Sequence, residues 1–173
     1  IRHDAYRDYG GQTTLGGNIA YSPNDGATVL RATYGEGFRA PTLTEGQPPY
    51  GNVNLRPETA RNLDIGVEQN FLEGQVQLIA TYFNRRSTDL IAFSFITFQS
   101  ENIDRVEAKG AEISVAVQPT NRLDIRLNYT LTDAINQSVG ANFGKRLALR
   151  PQNNASLTAD WQSPSRASVA PPH

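Results

Sequence analysis

Apolar and polar residues alternate with a period of two along most of this chain. Between Leu123 and Thr132, apolar side chains at the odd-numbered positions oppose polar side chains at the even-numbered positions. A β-strand gives this period because its side chains point alternately to the two faces of a sheet. The segment is therefore predicted to be a strand with one apolar face and one wet face.

The same alternation recurs in six other segments, whereas no segment shows comparable helical periodicity. The six segments are centred on 15–21, 30–34, 63–71, 76–82, 113–117 and 155–161. The fifth of them is predicted to belong to one long strand from Phe98 to Gln118, with a bulge or bend at Gly110. One face of this predicted sheet is charged, and we expect it to point inward, with Asp64, Glu68, Asp124, Arg126 and Asp160 on it. The chain is thus predicted to be all-β, with about seven antiparallel strands.

The connections between these strands alternate in length. Short turn-like links occur at 22–26, 72–74, 119–121 and 163–165, and longer irregular stretches occur at 38–57, 88–99 and 133–144. Short turns at one end and long loops at the other are typical of an outer-membrane β-barrel. The alternation alone also fits a soluble antiparallel sheet with one solvated face, so both fold classes remain open at this point.

Composition and charge exclude several classes of function. The net charge is −1 and the pI about 6.1, so the clustered basic face of a nucleic-acid-binding protein is not expected. Cysteine is absent, and the two histidines, His3 and His173, lie next to the two ends. Disulfides, thiol nucleophiles, a His-centred triad and a multi-histidine metal site are therefore excluded from mid-chain. No apolar run approaches the roughly 18 residues of a spanning helix, but a transmembrane β-barrel remains compatible with the sequence.

Two distinctive sequence motifs follow the second predicted strand. Residues 35–43 read Gly-Glu-Gly-Phe-Arg-Ala-Pro-Thr-Leu, and residues 51–58 read Gly-Asn-Val-Asn-Leu-Arg-Pro-Glu. Together they resemble a block in the barrel of TonB-dependent outer-membrane receptors, the siderophore and vitamin B12 transporters. In that family a glycine-aromatic-Arg/Lys-Ala-Pro cluster ends a strand, a large extracellular loop follows, and a GNP-x-L-x-P-E segment opens the next strand. This chain departs from the pattern at Val53, where proline is usual, and at 47–49, where an aromatic-rich stretch is common.

The resemblance continues in family order from about Gly11 to Gln162. It includes Thr-Tyr-Phe-Asn at 81–84, Gly-Ala-Glu at 110–112 and Asn-Tyr-Thr-Leu-Thr-Asp-Ala at 128–134. The family-motif positions are expected to have structural roles at strand ends and in loops. They are Gly35, Gly37, Phe38, Arg39, Ala40, Pro41, Gly51, Asn52, Leu55, Pro57, Glu58, Gly110 and Glu112. The sequence does not identify ligand contacts, and it gives no catalytic, metal or cofactor residue.

The resemblance implies a transporter rather than an enzyme, located in the outer membrane of a Gram-negative bacterium. The implied fold is the C-terminal part of a barrel that has 22 strands in this family. A ferric siderophore or cobalamin would be the ligand, and the loops at 38–57, 88–99 and 133–144 would contribute to its vestibule. TonB would act through a plug domain, and lipid and lipopolysaccharide would surround the barrel. No cofactor and no nucleic acid are expected.

The chain is expected to contain only part of a receptor. Residues 1–162 are assigned to an incomplete receptor barrel, and residues 163–173 to a non-matching, disordered tail. Nothing in the chain resembles the plug domain, and seven strands cannot close the implied barrel, so a fragment of a longer receptor is expected. Two alternatives are a small complete outer-membrane barrel, such as an adhesin or structural protein, and a soluble β-sandwich binding module.

Physical reasons can be offered for individual residues of the cluster. Gly35 and Gly37 are expected to allow backbone conformations and close approaches that other residues cannot. We expect Phe38 to lie at the membrane interface, Arg39 to pair with Glu36 or Glu58, and Pro41 to end the strand ladder.

Other surface residues suggest further hypotheses. Arg85-Arg86 and Lys145-Arg146 could contact lipopolysaccharide, or they could be solvated strand ends. Aromatic residues of an interfacial girdle are expected at Tyr34, Tyr82, Tyr129 and Trp161, with ordinary sheet packing as the alternative. A calcium site is disfavoured, because its candidate ligands lack the regular spacing of an oxygen-ligand loop. These candidates are Asp89, Glu101, Asp104 and Glu107.

Overall fold

The computed structural model describes residues 1–7, 9–138, 143–147 and 150–163. In this part of the chain the regular elements are nine strands and one short helix. They are β1 (Arg2–Tyr6), β2 (Gly10–Thr14), β3 (Gly16–Tyr21), β4 (Thr28–Arg39), α1 (Leu43–Gly46), β5 (Glu58–Phe71), β6 (Val76–Ser94), β7 (Gln99–Thr120), β8 (Leu123–Asn136) and β9 (Asn153–Trp161).

Strands β3 to β9 form one antiparallel sheet of seven strands, and each strand pairs with its neighbour in sequence. Strands β1 and β2 form a separate two-stranded hairpin. The seven strands predicted from the alternation are therefore confirmed. Within the described residues the sheet is open, since β3 and β9 each pair on one side only.

One face of this sheet is apolar and exposed. Cross-strand pairing places Leu30, Val67, Ala80, Ile113 and Tyr129 in one row on that face. These side chains are not covered by the protein, and Ile65 and Leu157 on the same face are 51% and 71% exposed. A soluble sandwich would bury such a face against a second sheet. Among the described residues, no helix has the length and apolar character that a membrane span requires.

The opposite face is polar and linked by ion pairs. Asp64, Glu68, Asp124, Arg126 and Asp160 lie on it, as predicted, because they alternate with the residues of the apolar face. The Arg126 Nε atom lies 2.7 Å from Asp124 Oδ1, and Gln118 donates to the other oxygen of Asp124 at 3.0 Å. We call these two surfaces the apolar face and the polar face.

Tight turns join the strands at one end of the sheet. The turns at 24–26 and 72–74 have the same conformation, with positive φ at Asn24 and Asp25 and at Leu72 and Glu73. A third short connection, residues 121–122, joins β7 to β8. Three of the predicted short links are thus confirmed, and the link at 163–165 extends beyond the described residues. We call this the short-turn end and the opposite one the loop end.

The long loop predicted at 88–99 is wrong. Strand β6 continues to Ser94 and β7 begins at Gln99, so that only residues 95–98 connect them. The apolar run from Leu90 to Phe93 belongs to β6 and pairs with Ser100–Ile103 of β7. The loop predicted at 133–144 begins later than expected, because β8 runs to Asn136, and residues 139–142 lie outside the described part.

Gly110 does not mark a bulge. The register passes through it without a shift, with Phe83 opposite on β6 and Thr132 opposite on β8. A Cβ atom at this position would overlap the carbonyl oxygen of Leu131 and lie 2.7 Å from Phe83 Cζ. Glycine is needed here because the Phe83 ring, 3% exposed, lies over the backbone. The register shift in β7 occurs between Val117 and Thr120.

The β1–β2 hairpin was not predicted. Residues 2–6 and 10–14 show no alternation of apolar with polar side chains, so they give no period-two signal. The tail predicted to be disordered, residues 163–173, lies outside the described residues except for Ser163.

Candidate functional site

Arg39, the last residue of β4, holds the loop that follows it. Its Nε and Nη2 atoms donate to the two oxygens of Glu58 at 2.8 and 2.6 Å. Its Nη1 atom donates to Glu45 Oε2 at 2.9 Å. The predicted pair with Glu58 is therefore present, in the fork geometry that arginine and carboxylate favour. Glu36 is not a partner, because three residues along a strand separate it from Arg39 and place it on the opposite face.

Helix α1 positions the second carboxylate. Thr42 is its N-cap: the Thr42 side chain accepts from the Glu45 N–H, and the Glu45 carboxylate accepts from the Thr42 N–H at 2.8 Å. This capping box fixes Glu45 where it faces Arg39. The sequence contains the signal for this capping box, Thr followed three residues later by Glu, although no helix was predicted here.

The guanidinium group changes the acidity of both carboxyls, which lie at the loop end beyond the hydrophobic part of the apolar face. Hydrogen bonds from Arg39 lower the pKa of Glu58 and of Glu45, although partial burial acts in the opposite direction. The pKa of Arg39 is raised in return. Glu58 also accepts from the Ile91 N–H at 2.7 Å. The Arg39 cluster, which we define as Arg39, Glu45 and Glu58, thus connects β4, α1, β5 and β6.

The rest of the loop between β4 and β5 is folded. The Gly51 N–H donates to Gln47 O at 2.8 Å, and the Asn52 N–H donates to Glu45 O at the same distance. A Cβ atom at Gly51 would overlap the backbone of Gln47, and the Leu55 side chain is 4% exposed. The motif positions 51, 52 and 55 therefore lie where the loop closes on itself.

A second group of polar contacts binds this loop to β6 and β7. The Arg56 Nη2 atom lies 2.6 Å from Asp89 Oδ1. The Arg56 N–H donates to Asn102 Oδ1, and Asn102 Nδ2 donates back to Arg56 O, both at 2.9 Å. The Ser100 N–H donates to Tyr50 O at 2.9 Å. Sequence reasoning missed these contacts because they join residues about 33 to 50 positions apart.

Other residues of the opening cluster differ from expectation. Gly35 and Gly37 are in regular strand conformation without positive φ, and a Cβ atom at either would meet nothing closer than 3.8 Å. The conformational reason offered for them is therefore wrong. Phe38 lies on the apolar face, and its ring centroid is 5.1 Å from that of Tyr6 in β1. The β4 ladder ends at Arg39, two residues before Pro41, as predicted.

Two further motif positions lie on the polar face of β7. At Gly110 the Phe83 ring lies over the backbone, as described above. Glu112 is exposed and stands opposite Thr81 of β6 and Thr130 of β8.

The structure separates the basic pairs that the sequence grouped. Arg86 lies on the apolar face, with its Nε atom 3.0 Å from Glu107 Oε1. Arg85 lies on the polar face, with its guanidinium 4.8 Å from the centre of the Phe83 ring. Arg146 contacts Asp133 at 3.2 Å and Gln152 at 2.7 Å. Arg86 and Arg146, which pairs with Ile135, thus lie on the surface where a lipid contact was expected.

The predicted aromatic girdle residues Tyr34, Tyr82, Tyr129 and Trp161 all point out of the apolar face and are at least 37% exposed. Their position relative to a bilayer stays a prediction.

The acidic residues considered for calcium do not converge. Asp89 contacts Arg56, Glu101 accepts from Thr97 and Glu107 contacts Arg86. The side chain of Asp104 lies outside the described structure. Among the described residues, no group of three or more potential metal ligands is present.

Comparison with known families gives one match over nearly the whole chain. The family model described as "TonB dependent receptor-like, beta-barrel" matches residues 1–169. The vitamin B12 transporter BtuB of Vibrio cholerae serotype O1 is 31% identical over 168 residues, which cover 93% of this chain and 26% of that protein. An iron-regulated outer membrane virulence protein of the same species is 24% identical over 192 residues, covering 88% of this chain and 29% of that protein. The chain thus spans about a quarter of the length of these relatives.

Solved structures show the same fold. The siderophore receptor PirA from Pseudomonas aeruginosa superposes with a TM-score of 0.76 at 22% identity, over 95% of this chain and 30% of that chain. A mutant of the ferric enterobactin receptor PfeA from the same organism gives a TM-score of 0.77 at 19% identity, over 94% and 27% of the two chains. At these identities the likeness concerns the fold.

Proposed function

This chain belongs to the TonB-dependent receptor-like β-barrel family, and on that basis we propose that its strands form a section of the wall of a receptor that actively imports a scarce ligand. The chain is part of an outer-membrane barrel of a Gram-negative bacterium. In this proposal residues 1–162 form the partial barrel domain. In this proposal, gating and energy coupling belong to a plug domain and to TonB.

The two-faced sheet is the observation that supports this role. Its apolar face is exposed along all seven strands, while the polar face is satisfied by ion pairs and amide hydrogen bonds. In lipid, the apolar face is stabilised by the bilayer, and every interior strand has its backbone groups paired on both sides. A polar lumen of this kind accommodates a hydrophilic ligand.

The ligand we propose is cobalamin or a ferric siderophore. A vitamin B12 transporter is similar in sequence, and a siderophore receptor has the same fold. The loop between β4 and β5, held by the Arg39 cluster and by Arg56, would form one fixed wall of the ligand vestibule. The motif positions from Gly35 to Glu58 would then have structural roles, holding the loop rather than touching the ligand.

The remaining partners are proposed from the position of the sheet in the outer membrane. The apolar face would contact lipid, and the loop end would contact lipopolysaccharide. The family is one of receptors and transporters and not of enzymes, and we propose no catalytic residue, metal or cofactor for this chain.

Uptake by the receptor that contains this chain tests the proposal. The full-length receptor is expressed in a Gram-negative host strain that lacks its own receptors for B12 and siderophores. Uptake of radiolabelled cyanocobalamin and of a ferric siderophore by these cells is then measured. One of the two is expected to accumulate against its gradient, and accumulation is expected to cease when the host lacks TonB. A host with TonB but without the receptor is the control.

Other results would contradict the proposal in distinguishable ways. Equal entry with and without TonB would indicate a passive pore. A correctly inserted barrel that shows neither transport nor ligand binding would favour an adhesin or structural barrel. A water-soluble monomer that unfolds cooperatively without detergent would favour a soluble binding module, an alternative that the exposed apolar face already disfavours.

A further inference from the structure

The upper part of the hairpin formed by β6 and β7 projects beyond the rest of the sheet. Toward the loop end, β5 pairs with β6 as far as Thr88, and β8 pairs with β7 as far as Val106. Among the described residues, 90–94 and 99–103 have no strand partner other than each other. We call residues 90–102 the arm. A hairpin of two strands is marginally stable by itself, so contacts with other elements decide where the arm lies.

The arm begins at a residue with an unusual backbone conformation. Asp89 has a φ of 58°, although it lies inside β6. This left-handed conformation is unfavourable for most side chains, and aspartate and asparagine adopt it more readily than others. A left-handed residue within a strand changes the direction of the chain. Asp89 therefore marks the point where the arm departs from the line of the sheet.

Asn102, opposite the start of the arm, fixes this change of direction. Its Nδ2 atom donates to the carbonyl oxygen of Asp89 at 2.7 Å. The same side chain exchanges the two hydrogen bonds with the backbone of Arg56 that were described above. The Arg56 guanidinium in turn contacts the Asp89 carboxylate. The base of the arm is thus held by a few polar contacts with the loop between β4 and β5.

The arm leans toward the polar face of the sheet. The Ile91 N–H donates to the Glu58 carboxylate at 2.7 Å, and the Glu58 side chain lies on the same face as Asp64, six residues along β5. The Ser100 N–H donates to Tyr50 O, which belongs to the loop that the Arg39 cluster holds. In the proposed function the polar face lines the lumen. The arm therefore lies beside the mouth of the lumen.

The tip of the arm exposes three large apolar side chains. Phe95 and Ile96 are 81% and 91% exposed, and Phe98 is exposed as well. The Phe93 ring contacts the Phe95 ring edge to face, with their centroids 5.4 Å apart. An apolar cluster at a projecting tip in water is characteristic of an interaction surface. Because the arm stands beside the lumen, a ligand in the lumen mouth is within the direction of its lean.

We propose that the arm is a lid, hinged at Asp89, that closes over a ligand in the mouth of the lumen and covers it with the apolar tip. The lid presupposes the proposed uptake function and adds a moving part to it. Closure removes Phe95, Ile96 and Phe98 from water, and aromatic and aliphatic side chains suit the flat apolar surface of a large metal chelate. Since such a lid covers a ligand that is already bound, it slows dissociation and leaves association nearly unchanged.

Protection of the tip by a bound ligand tests closure without measuring transport. The full-length receptor that contains this chain is purified in detergent with Ile96→Cys as its reactive cysteine. Its rate of reaction with a maleimide is measured with and without saturating cyanocobalamin or a ferric catecholate siderophore, and binding of each probe is measured in the same samples. The probe that binds is expected to slow the reaction at least about tenfold. Glu73→Cys, exposed in the opposite turn, is the control and is expected to react equally fast in both states.

The rate at which the bound probe dissociates tests the apolar tip. The triple variant Phe95→Ser/Ile96→Ser/Phe98→Ser is expected to release the probe about tenfold faster, with an association rate within about twofold of the wild type. Leu72→Ser also removes an exposed apolar side chain, at the short-turn end, and is expected to leave both rates unchanged. A merely structural role of the tip would lower the yield of folded barrel and would not change the dissociation rate.

Two substitutions of one residue test the hinge. Asp89→Asn and Asp89→Val both remove the charge that contacts Arg56, but only asparagine tolerates the left-handed conformation. Asp89→Asn is expected to retain slow dissociation and protection of Ile96→Cys. Asp89→Val is expected to lose this protection and to release the probe several-fold faster. Equal behaviour of the two variants would contradict a hinge at Asp89.

The remaining outcomes separate failure of the lid from failure of the proposed function. Binding of a probe without protection of Ile96→Cys would overturn the lid alone, and so would unchanged dissociation in a triple variant that retains the gel mobility of a folded barrel. Protection of Glu73→Cys as well would indicate a change throughout the barrel and would also overturn the lid. Binding of neither probe by a correctly folded receptor would overturn the proposed function and the lid with it.

Discussion

At the scale of single residues, Gly110 is explained by a contact and not by a special backbone angle. The carbonyl oxygen of Leu131 and the ring of Phe83 occupy the space of a Cβ atom. Gly110→Ala is therefore expected to lower the free energy of unfolding by about 3 kcal/mol, because the obstacle includes backbone that cannot rotate away. The quantity is measured by urea unfolding of the receptor that contains this chain, reconstituted in lipid vesicles.

Gly35→Ala is the matched control for this change. Gly35 is also a strand glycine, but a Cβ atom there would have nothing within 4 Å. This variant is expected to be neutral or slightly stabilising, since alanine reduces the entropy of the unfolded chain. Equal effects of the two substitutions would show that packing over Gly110 is not the reason for the glycine.

Leu72 stores strain in the tight turn between β5 and β6. Its φ is 51°, a left-handed conformation that costs an ordinary side chain about 1–2 kcal/mol and that asparagine tolerates better. The turn at 24–26 has the same conformation with Asn24 in the equivalent place. Leu72→Asn is expected to stabilise the barrel by about 0.5–1 kcal/mol, and the reciprocal Asn24→Leu is expected to destabilise it by a similar amount. Thermal unfolding monitored by gel mobility compares the two, and shifts of the same sign would refute the explanation.

The sequence predicted residue contacts only where local rules or the family resemblance applied. A pair of Arg39 with Glu36 or Glu58 was expected from the charges of the cluster, and Glu45 could have been added from its capping-box spacing. The Arg61 and Arg86 neighbours were not predicted, because they stand opposite each other in only one pairing register of β5 and β6. Contacts across the sheet depend on register, which alternation alone does not fix.

At the scale of elements, the loop between β4 and β5 is expected to respond to acid. Arg39 lowers the pKa of Glu45 and Glu58 below the ordinary value of 4.5. Each of these carboxyls has a lower pKa when the loop is attached than when it is detached. Above the ordinary pKa it contributes its full stabilisation of the attached loop, and this contribution is lost as the pH falls through the lowered pKa. The loop is therefore expected to stay attached near neutral pH and to loosen below pH 4.5.

Pulsed electron paramagnetic resonance measures this change. Spin labels at Val53 in the loop and Glu73 in the opposite turn, both exposed, report their separation, and the chain has no native cysteine to interfere. The distance distribution is expected to broaden on acidification. Arg39→Gln should give a broad distribution already at neutral pH, whereas Arg31→Gln, which removes a different ion pair on the same face, should behave as the wild type. A distribution that stays narrow in Arg39→Gln would contradict the assigned role.

Elements were predictable where one face differs from the other. The seven strands of the sheet follow from period-two alternation because each has an apolar and a polar side. The β1–β2 hairpin has no such contrast and was missed. The upper part of β6 was missed for the opposite reason, since Leu90 to Phe93 are apolar at consecutive positions and show no period.

At the scale of the whole molecule, the two faces of the sheet meet different surroundings. Ile65→Arg places a charge in the middle of the apolar face and is expected to cost about 2–4 kcal/mol if that face contacts lipid. Thr33→Arg is the matched control, because Thr33 is an exposed polar-face residue directly opposite Asp64. That variant is expected to change stability little, since the new side chain gains a carboxylate neighbour.

The two variants are compared in the receptor that contains this chain, after it is folded into vesicles of defined lipid composition. The free energy of unfolding should fall for Ile65→Arg and not for Thr33→Arg, and lipids with shorter acyl chains should reduce the difference by thinning the bilayer. The reverse order would place the polar face toward lipid and would require the opposite orientation of the sheet.

The alternation of faces also limits how such a segment changes in evolution. Deleting one residue within β5 would shift every later side chain of that strand to the other face, so that Asp64 and Glu68 would turn toward the apolar surroundings of Ile65. Deleting two residues would preserve the faces and shorten the strand by one repeat of the pleat. Insertions and deletions among homologues should therefore occur in even numbers within the strands, while the loop at 40–57 and the connection at 95–98 can vary in length by any number of residues.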